Sequence, residues 1–339
     1  TPSAALTQSA PDVQRIRERM HTLRFTATAT CADFLLDASD PQRLTTIPLY
    51  LSIVCENCQK EKEWLETFKN KVEASNLTVN SSVSAQNLIT NVLVGGDCFE
   101  VSNITADGST AARGMFSNGA TNIGISNGIV LSTGSVGQLP GPNNENNAGN
   151  LTFNVNSPND PDLATLANGD QYDIAKIEFD FTPTAPMVQF DFVFGSEEYC
   201  EYVNSPYNDV FGFFISGPGI TGKKNLAVLP SSSTPISVNN INHLNNATYY
   251  INNNNYFNLF QPNCIGIPMA AQTECELDGW TTQFTATANV IPCSTYHIKL
   301  IIADMSDYLF SSAVFLRANS FEAGGQARAA AVYPGNLNS

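Results

Sequence analysis

Two stretches of this chain hold acids at spacings that could do oxygen chemistry. Glu197 and Glu198 lie in FGSEEYCEY, Asp209 follows Asn208 in SPYNDVF, and Asp304 and Asp307 frame ADMSDYLFSS, with Ser311 close behind. Calcium takes about six to eight oxygen ligands from carboxylates, amides, hydroxyls and carbonyls. Glu197, Glu198, Asn208, Asp209, Asp304 and Asp307 supply such a set if the two loops meet, so Ca2+ is the expected cofactor. The competing reading makes the same residues solvated loop acids and turn caps. A third reading is hydrolysis. Glu197 and Glu198 are adjacent, point to opposite faces of an extended strand and cannot flank one glycosidic bond, which leaves a pair across loops such as Glu198 with Asp304.

Other chemistries fit less well. GPGITGKK at 217–224 matches a glycine-rich phosphate loop on paper. Lys224, however, stands where Ser or Thr should hold Mg2+, and the following NLAVLP reads as a strand instead of a helix, so the segment is expected to be a turn. His297 lies in TYHIKLII, where Tyr296, Ile298 and Leu300 take the apolar face and His297 with Lys299 the wet one, so a Ser-His-Asp triad is not supported. Cys55 and Cys58 form a possible zinc or redox half-site, but His21, His243 and His297 are isolated. No catalytic residue is assigned.

Eight cysteines, Cys31, Cys55, Cys58, Cys98, Cys200, Cys264, Cys275 and Cys293, are an even number in loop-like sequence, which predicts mostly disulfides and an oxidising compartment. Sequons at Asn76, Asn80, Asn103, Asn150 and Asn246 mark exposed loops and glycosylation candidates. Tyr249, Tyr250, Tyr256, Phe257 and Phe260, set among asparagines, suggest either a glycan-stacking surface or a loop folded over a sheet edge. The formal charge of −15 is uneven. Residues 1–75 hold nine Lys or Arg against ten Asp or Glu, whereas 76–339 hold seven against twenty-one. Such a field repels phosphate backbones and anionic lipid, so nucleic acid is a poor partner and divalent cations are better ones. No apolar run reaches membrane-spanning length.

The elements that must position these groups are mostly strands. AKIEFDFT alternates Ile177, Phe179 and Phe181 with Lys176, Glu178 and Asp180, one face buried and one wet. LITNVLV, CFEVSNIT, NGIVLSTG, MVQFDFVF, DVFGFFIS, NLAVLP, ATYYI, TTQFTATANV, TYHIKLIIA and SAVFLRANSF read as further strands between Gly, Asn, Asp and Pro. Before residue 84 the texture differs. Val13, Ile16, Met20 and Leu23 recur at helical spacing, LRFTATATCADFLLD alternates, and Trp64, Leu65, Phe68 and Val72 share one face of a second helix. The expectation is an all-β protein, an antiparallel β-sandwich of jelly-roll or lectin-like type over 84–322, preceded by a small α+β unit at 1–83 and followed by a tail at 323–339.

Segments at 85–105, 116–134, 190–220 and 291–321, among them FGSEEY, NDVFGFFISGPG and the last stretch up to RANSF, occur in the order seen in one family. In these motifs the chain resembles the choice-of-anchor L domain. The resemblance implies a β-sandwich of exported proteins, often placed ahead of differing anchoring domains, without an assigned catalytic residue. It makes the expected location extracellular or at the cell surface. The expected role is adhesion or structural self-assembly, as a fibre or layer subunit that pairs with itself through terminal segments such as LRFTATAT or GGQARAAAVYPGNLNS, with surface glycans as further partners. The alternative is a secreted carbohydrate-active enzyme or a lectin using the acidic loops.

Overall fold

The structure is a computed structural model that describes residues 76–95, 99–143, 159–253 and 274–323, together with the backbone of two short strands, β1 (Arg24–Phe25) and β2 (Phe34–Leu35). The chain divides into two compact units, 1–75 and 76–339. In the first, β1 and β2 pair antiparallel. The helices expected there and residues 324–339 of the expected tail lie outside the described residues.

Alternating apolar residues build the second unit as two antiparallel sheets. One sheet runs in the order β10 (Lys224–Asn225), β9 (Val210–Ser216), β14 (Tyr296–Met305), β7 (Gln171–Pro183), β4 (Phe99–Asp107). The other runs β11 (Tyr250–Asn252), β12 (Gly279–Thr281), β8 (Met187–Ser196), β15 (Ser312–Arg317), β6 (Gly128–Ser132), β5 (Arg113–Ser117), β3 (Thr78–Asn80). Two further strands, β13 (Phe284–Asn289) and β16 (Glu322–Ala323), pair with β8. The all-β sandwich expected from the sequence is thus what the chain forms.

Period-two alternation decides which face each strand buries. Ile177, Phe179 and Phe181 of β7 and Phe211, Phe213 and Ile215 of β9 meet Phe190, Phe192 and Phe194 of β8 in one core between the sheets. Aromatic edges interlock there, with ring centroids 4.9 Å apart for Phe192 and Phe213 and 5.0 Å for Phe190 and Phe213. The outer faces are covered too. Val193, Phe315 and Trp280 pack beneath loop residues such as Val136 and Leu139, while Phe214, Ile301 and Met305 pack beneath Leu163.

Two expectations change. LITNVLV is a π-helical turn, Leu88–Leu93, because Leu88, Ile89 and Leu93 must reach the core on one side while Asn91 stays outside. Lys299 is not on a wet face but only 5 % exposed. Residues of the 159–167 segment cover that side of β14, and Lys299 Nζ lies 2.7 Å from Asp160 Oδ2 and 2.6 Å from Asp162 Oδ2. Burial works against its charge, and the two aspartates outweigh burial and raise its pKa.

This ion cluster predicts acid sensitivity. Burial would raise the Asp162 pKa, but hydrogen bonds from Lys223 and Lys299 win and lower it. Asp180 is lowered chiefly by the Asn103 amide, 2.7 Å away, against burial and with help from His297 at 2.8 Å. A depressed carboxylate stabilises the fold above its unfolded pKa of about 3.9 and loses that contribution as pH falls through the folded value. Melting temperature should therefore fall below about pH 4, less steeply in Asp162→Asn than in the wild type. Equal slopes in the two proteins would contradict the assignment.

The acidic end of the sandwich

Strand ends position the acids. β8 finishes at Ser196, where Ser312 of β15 pairs with it, and β14 passes its bulge between Ile302 and Asp304 just before it ends. Glu197 then anchors the turn, its N–H donating to the Ser311 carbonyl at 3.1 Å. Asp209 immediately precedes β9. These junctions bring Glu198, Asp209 and Asp304 together, each 1 % exposed.

Asp209 is the best held. Its Oδ1 accepts from the Met305 N–H at 3.1 Å, and its Oδ2 lies 2.7 Å from the Ser312 hydroxyl. The same hydroxyl is 2.9 Å from Ser196 Oγ, which accepts from the Glu198 N–H at 2.9 Å. Glu198 Oε2 accepts from the Asp209 N–H at 3.3 Å. Asp304 is different. Both its oxygens are buried and accept no hydrogen bond of good geometry, although the Asp209 carboxyl and the Thr133 hydroxyl lie close enough to act on its charge.

Electrostatics sharpens the point. Burial pushes Asp209 up to about 7, against hydrogen bonds from Ser312 and the Met305 amide. Burial first, and then the Asp209 charge, raise Glu198 and Asp304 well above the carboxylate range. The charged neighbours that act on these three are themselves acids, Asp307 and Glu201 among them. Buried carboxylates without a cationic partner require protons or a cation. All the donors on hand are hard oxygens, which suit Ca2+ and not zinc. Asp209, Asp304 and Glu198 could hold it, with Thr133 and Ser312 hydroxyls as neutral ligands. Among the described residues no three Asp, Glu, His or Cys side chains stand in a metal-holding arrangement, so the carboxylates would have to draw inward around an ion.

The expected ligand set is only partly gathered. Glu197 is fully buried but acts on Cys275, while Glu198 acts on Tyr199, so the adjacent glutamates face opposite ways. Asn208 turns aside to accept from the Asn239 N–H at 2.9 Å. Asp307 caps its own turn, accepting from the Leu309 N–H at 3.0 Å.

Sequence reading missed a second buried acid. Asp278, in CELDGW, accepts from the Asn143 amide at 2.8 Å, while its other oxygen and the Asn143 carbonyl oxygen are buried without a donor. Burial, then the charge of Glu201, raises its pKa. No spacing or motif marks this pair, which comes from segments 135 residues apart.

The cysteine expectation divides. Cys200 is disulfide-bonded, but Cys275 and Cys293 are free thiols. Cys275 is buried under the outer face of β8, its thiol pushed up to about 12 by burial, whereas Cys293 is exposed on a turn, so the two cannot meet. Cys31, Cys55, Cys58, Cys98 and Cys264 lie outside the described residues. Of the aromatic residues set among asparagines, two are described. Tyr250 packs on Tyr199 at 4.8 Å and Tyr249 on Phe284 at 5.2 Å, and Tyr256, Phe257 and Phe260 are outside the described residues. Asn80, Asn103 and Asn246 are exposed, Asn76 is half-buried, and Asn150 is outside the described residues.

The described residues form an antiparallel β-sandwich with Glu198, Asp209 and Asp304 buried at one end. The choice-of-anchor L domain matches residues 77–322, and the chain belongs to that family, as its motifs suggested. Membership places it among surface or secreted proteins. No curated protein and no solved structure matches the chain. No described helix is long and apolar enough to cross a membrane.

Proposed function

We propose that the chain is a non-catalytic extracellular protein of adhesion or structural self-assembly, with a Ca2+ ion holding the acidic end of its sandwich. One observation carries the ion: Glu198, Asp209 and Asp304 are buried together, and among the described residues the charges that act on them are acids. The same burial argues against hydrolysis there, because a glycosidic bond cannot reach carboxylates that are 1 % exposed. Self-pairing is supported by β4, a nine-residue strand at the end of its sheet that pairs, among the described residues, with β7 alone. An unpaired edge offers main-chain donors and acceptors to another chain. Electron microscopy of the native protein tests the assembly. Regular polymers that disappear on deletion of residues 1–30 support it, and a monodisperse monomer at high concentration rejects it.

A further inference from the structure

The GPGITGKK segment, rejected above as a phosphate loop, forms one wall of an open cleft of about 580 Å3. That volume is within the usual range of small-molecule sites, about 300–1,000 Å3. Ser232, Ser233, Pro235 and Asn289 at the end of β13 line the cleft as well. Gly219 and Gly222 take φ of +80° and +65°, values that favour glycine and shape the turn beside the cleft.

The lining is chemically unlike the rest of the protein. The chain carries 31 acids against 16 Lys and Arg, yet among the described residues no Asp or Glu lines this cleft, while Lys223 and Lys224 do. Segments 76–95, 99–143, 159–253 and 274–323 hold six Lys or Arg, and five are engaged. Lys176, Lys223, Lys299 and Arg317 pair with aspartates, and Arg113 donates to three backbone carbonyls. Lys224 is the one of the six whose side chain makes neither an ion pair nor a hydrogen bond among the described residues. Thr221, Ser233 and Asn289 are likewise exposed, and their side chains make no hydrogen bond within the protein. Ile220, Val228 and Pro235 give the lining apolar surface.

An ammonium group, free hydroxyl and amide groups and some apolar lining together suit a ligand with an anionic group, many hydroxyls and a C–H face. Among the described residues no aromatic ring lines the cleft, which disfavours a nucleobase, since a base would stack. We infer that this cleft binds an acidic sugar unit, carboxylated or sulfated, of a surface polysaccharide. This names a ligand class for the adhesive role proposed above, at a site separate from the calcium end.

Isothermal titration with tetragalacturonate, a sulfated tetrasaccharide, neutral maltotetraose and tetraglutamate tests it, without added calcium so that no ion bridges sugar and protein. An acidic tetrasaccharide should bind, more weakly as salt rises, and at least about tenfold more weakly to Lys224→Glu, while maltotetraose and tetraglutamate do not. Whichever acidic sugar binds more tightly identifies the acid group. Lys176→Glu, which changes a lysine outside the cleft, should bind like the wild type, and melting curves confirm that both variants fold. Binding of neither acidic sugar, equal binding of maltotetraose, tighter binding of tetraglutamate, or an unchanged affinity in Lys224→Glu overturns the inference. Because calcium is not added, failure here leaves the calcium site to its own test.

Discussion

Chelation at neutral or higher pH should lower the melting temperature by about 5–11 °C relative to the calcium-loaded protein. The size follows from linkage. An ion at about 100 times its Kd stabilises the folded state by about 2.7 kcal/mol, and 1 kcal/mol moves the midpoint of a domain this large by about 2–4 °C. The effect should shrink toward about pH 5, and the sign can be worked out from the acids themselves. Glu198, Asp209 and Asp304 have folded pKa values raised by burial, Asp209 to about 7. A raised carboxyl contributes stability while it is protonated and loses it as pH climbs from the unfolded value through the folded one. In chelator, then, the protein should be more stable near about pH 5 than near about pH 8, with calcium closing the gap. Asp304→Asn removes one of the charges. It should raise the melting temperature in chelator at high pH and abolish the calcium response. A chelator-treated protein indifferent to pH across this window would contradict the account.

The largest effect of a single core change is expected at Phe192. It is 1 % exposed, and its ring lies 4.9 Å from Phe213, 5.7 Å from Phe211 and 5.8 Å from Phe284. Phe192→Ala would empty the space between the two sheets where neither backbone can move to fill it. A Phe-to-Ala change in a packed core costs about 3–5 kcal/mol. Denaturant titration should show a lower midpoint at an unchanged slope. The calcium response should survive, because Phe192 lies in the core between the sheets while the acids sit beyond the strand end at Ser196. A loss below 1 kcal/mol would mean that this ring cluster is not what joins the sheets.

The sequence made the sandwich readable where one face of a strand is apolar and the other polar. β7 is the clearest case, with Ile177, Phe179 and Phe181 inward and Glu178 and Asp180 outward. The same rule misplaced Lys299, because alternation describes one strand and says nothing of the distant 159–167 segment that covers it. LITNVLV misled for a related reason: a short apolar run satisfies a strand and a helical turn equally. Among the acids, residue types singled out Glu198, Asp209 and Asp304, but not their burial, which depends on how two strand ends and a loop close over them. Asn208 and Asp307 carried the same chemical signal and turned to local backbone partners. Asp278 with Asn143 was invisible, since neither residue has a neighbour in sequence to mark it.

Equilibrium dialysis with radioactive calcium, on the wild type and Asp304→Asn at neutral pH, measures the ion directly. The account predicts one tightly held calcium per chain in the wild type, absent from the variant while its fold persists. A wild-type chain that retains no calcium, or a variant that retains the same amount, would contradict it.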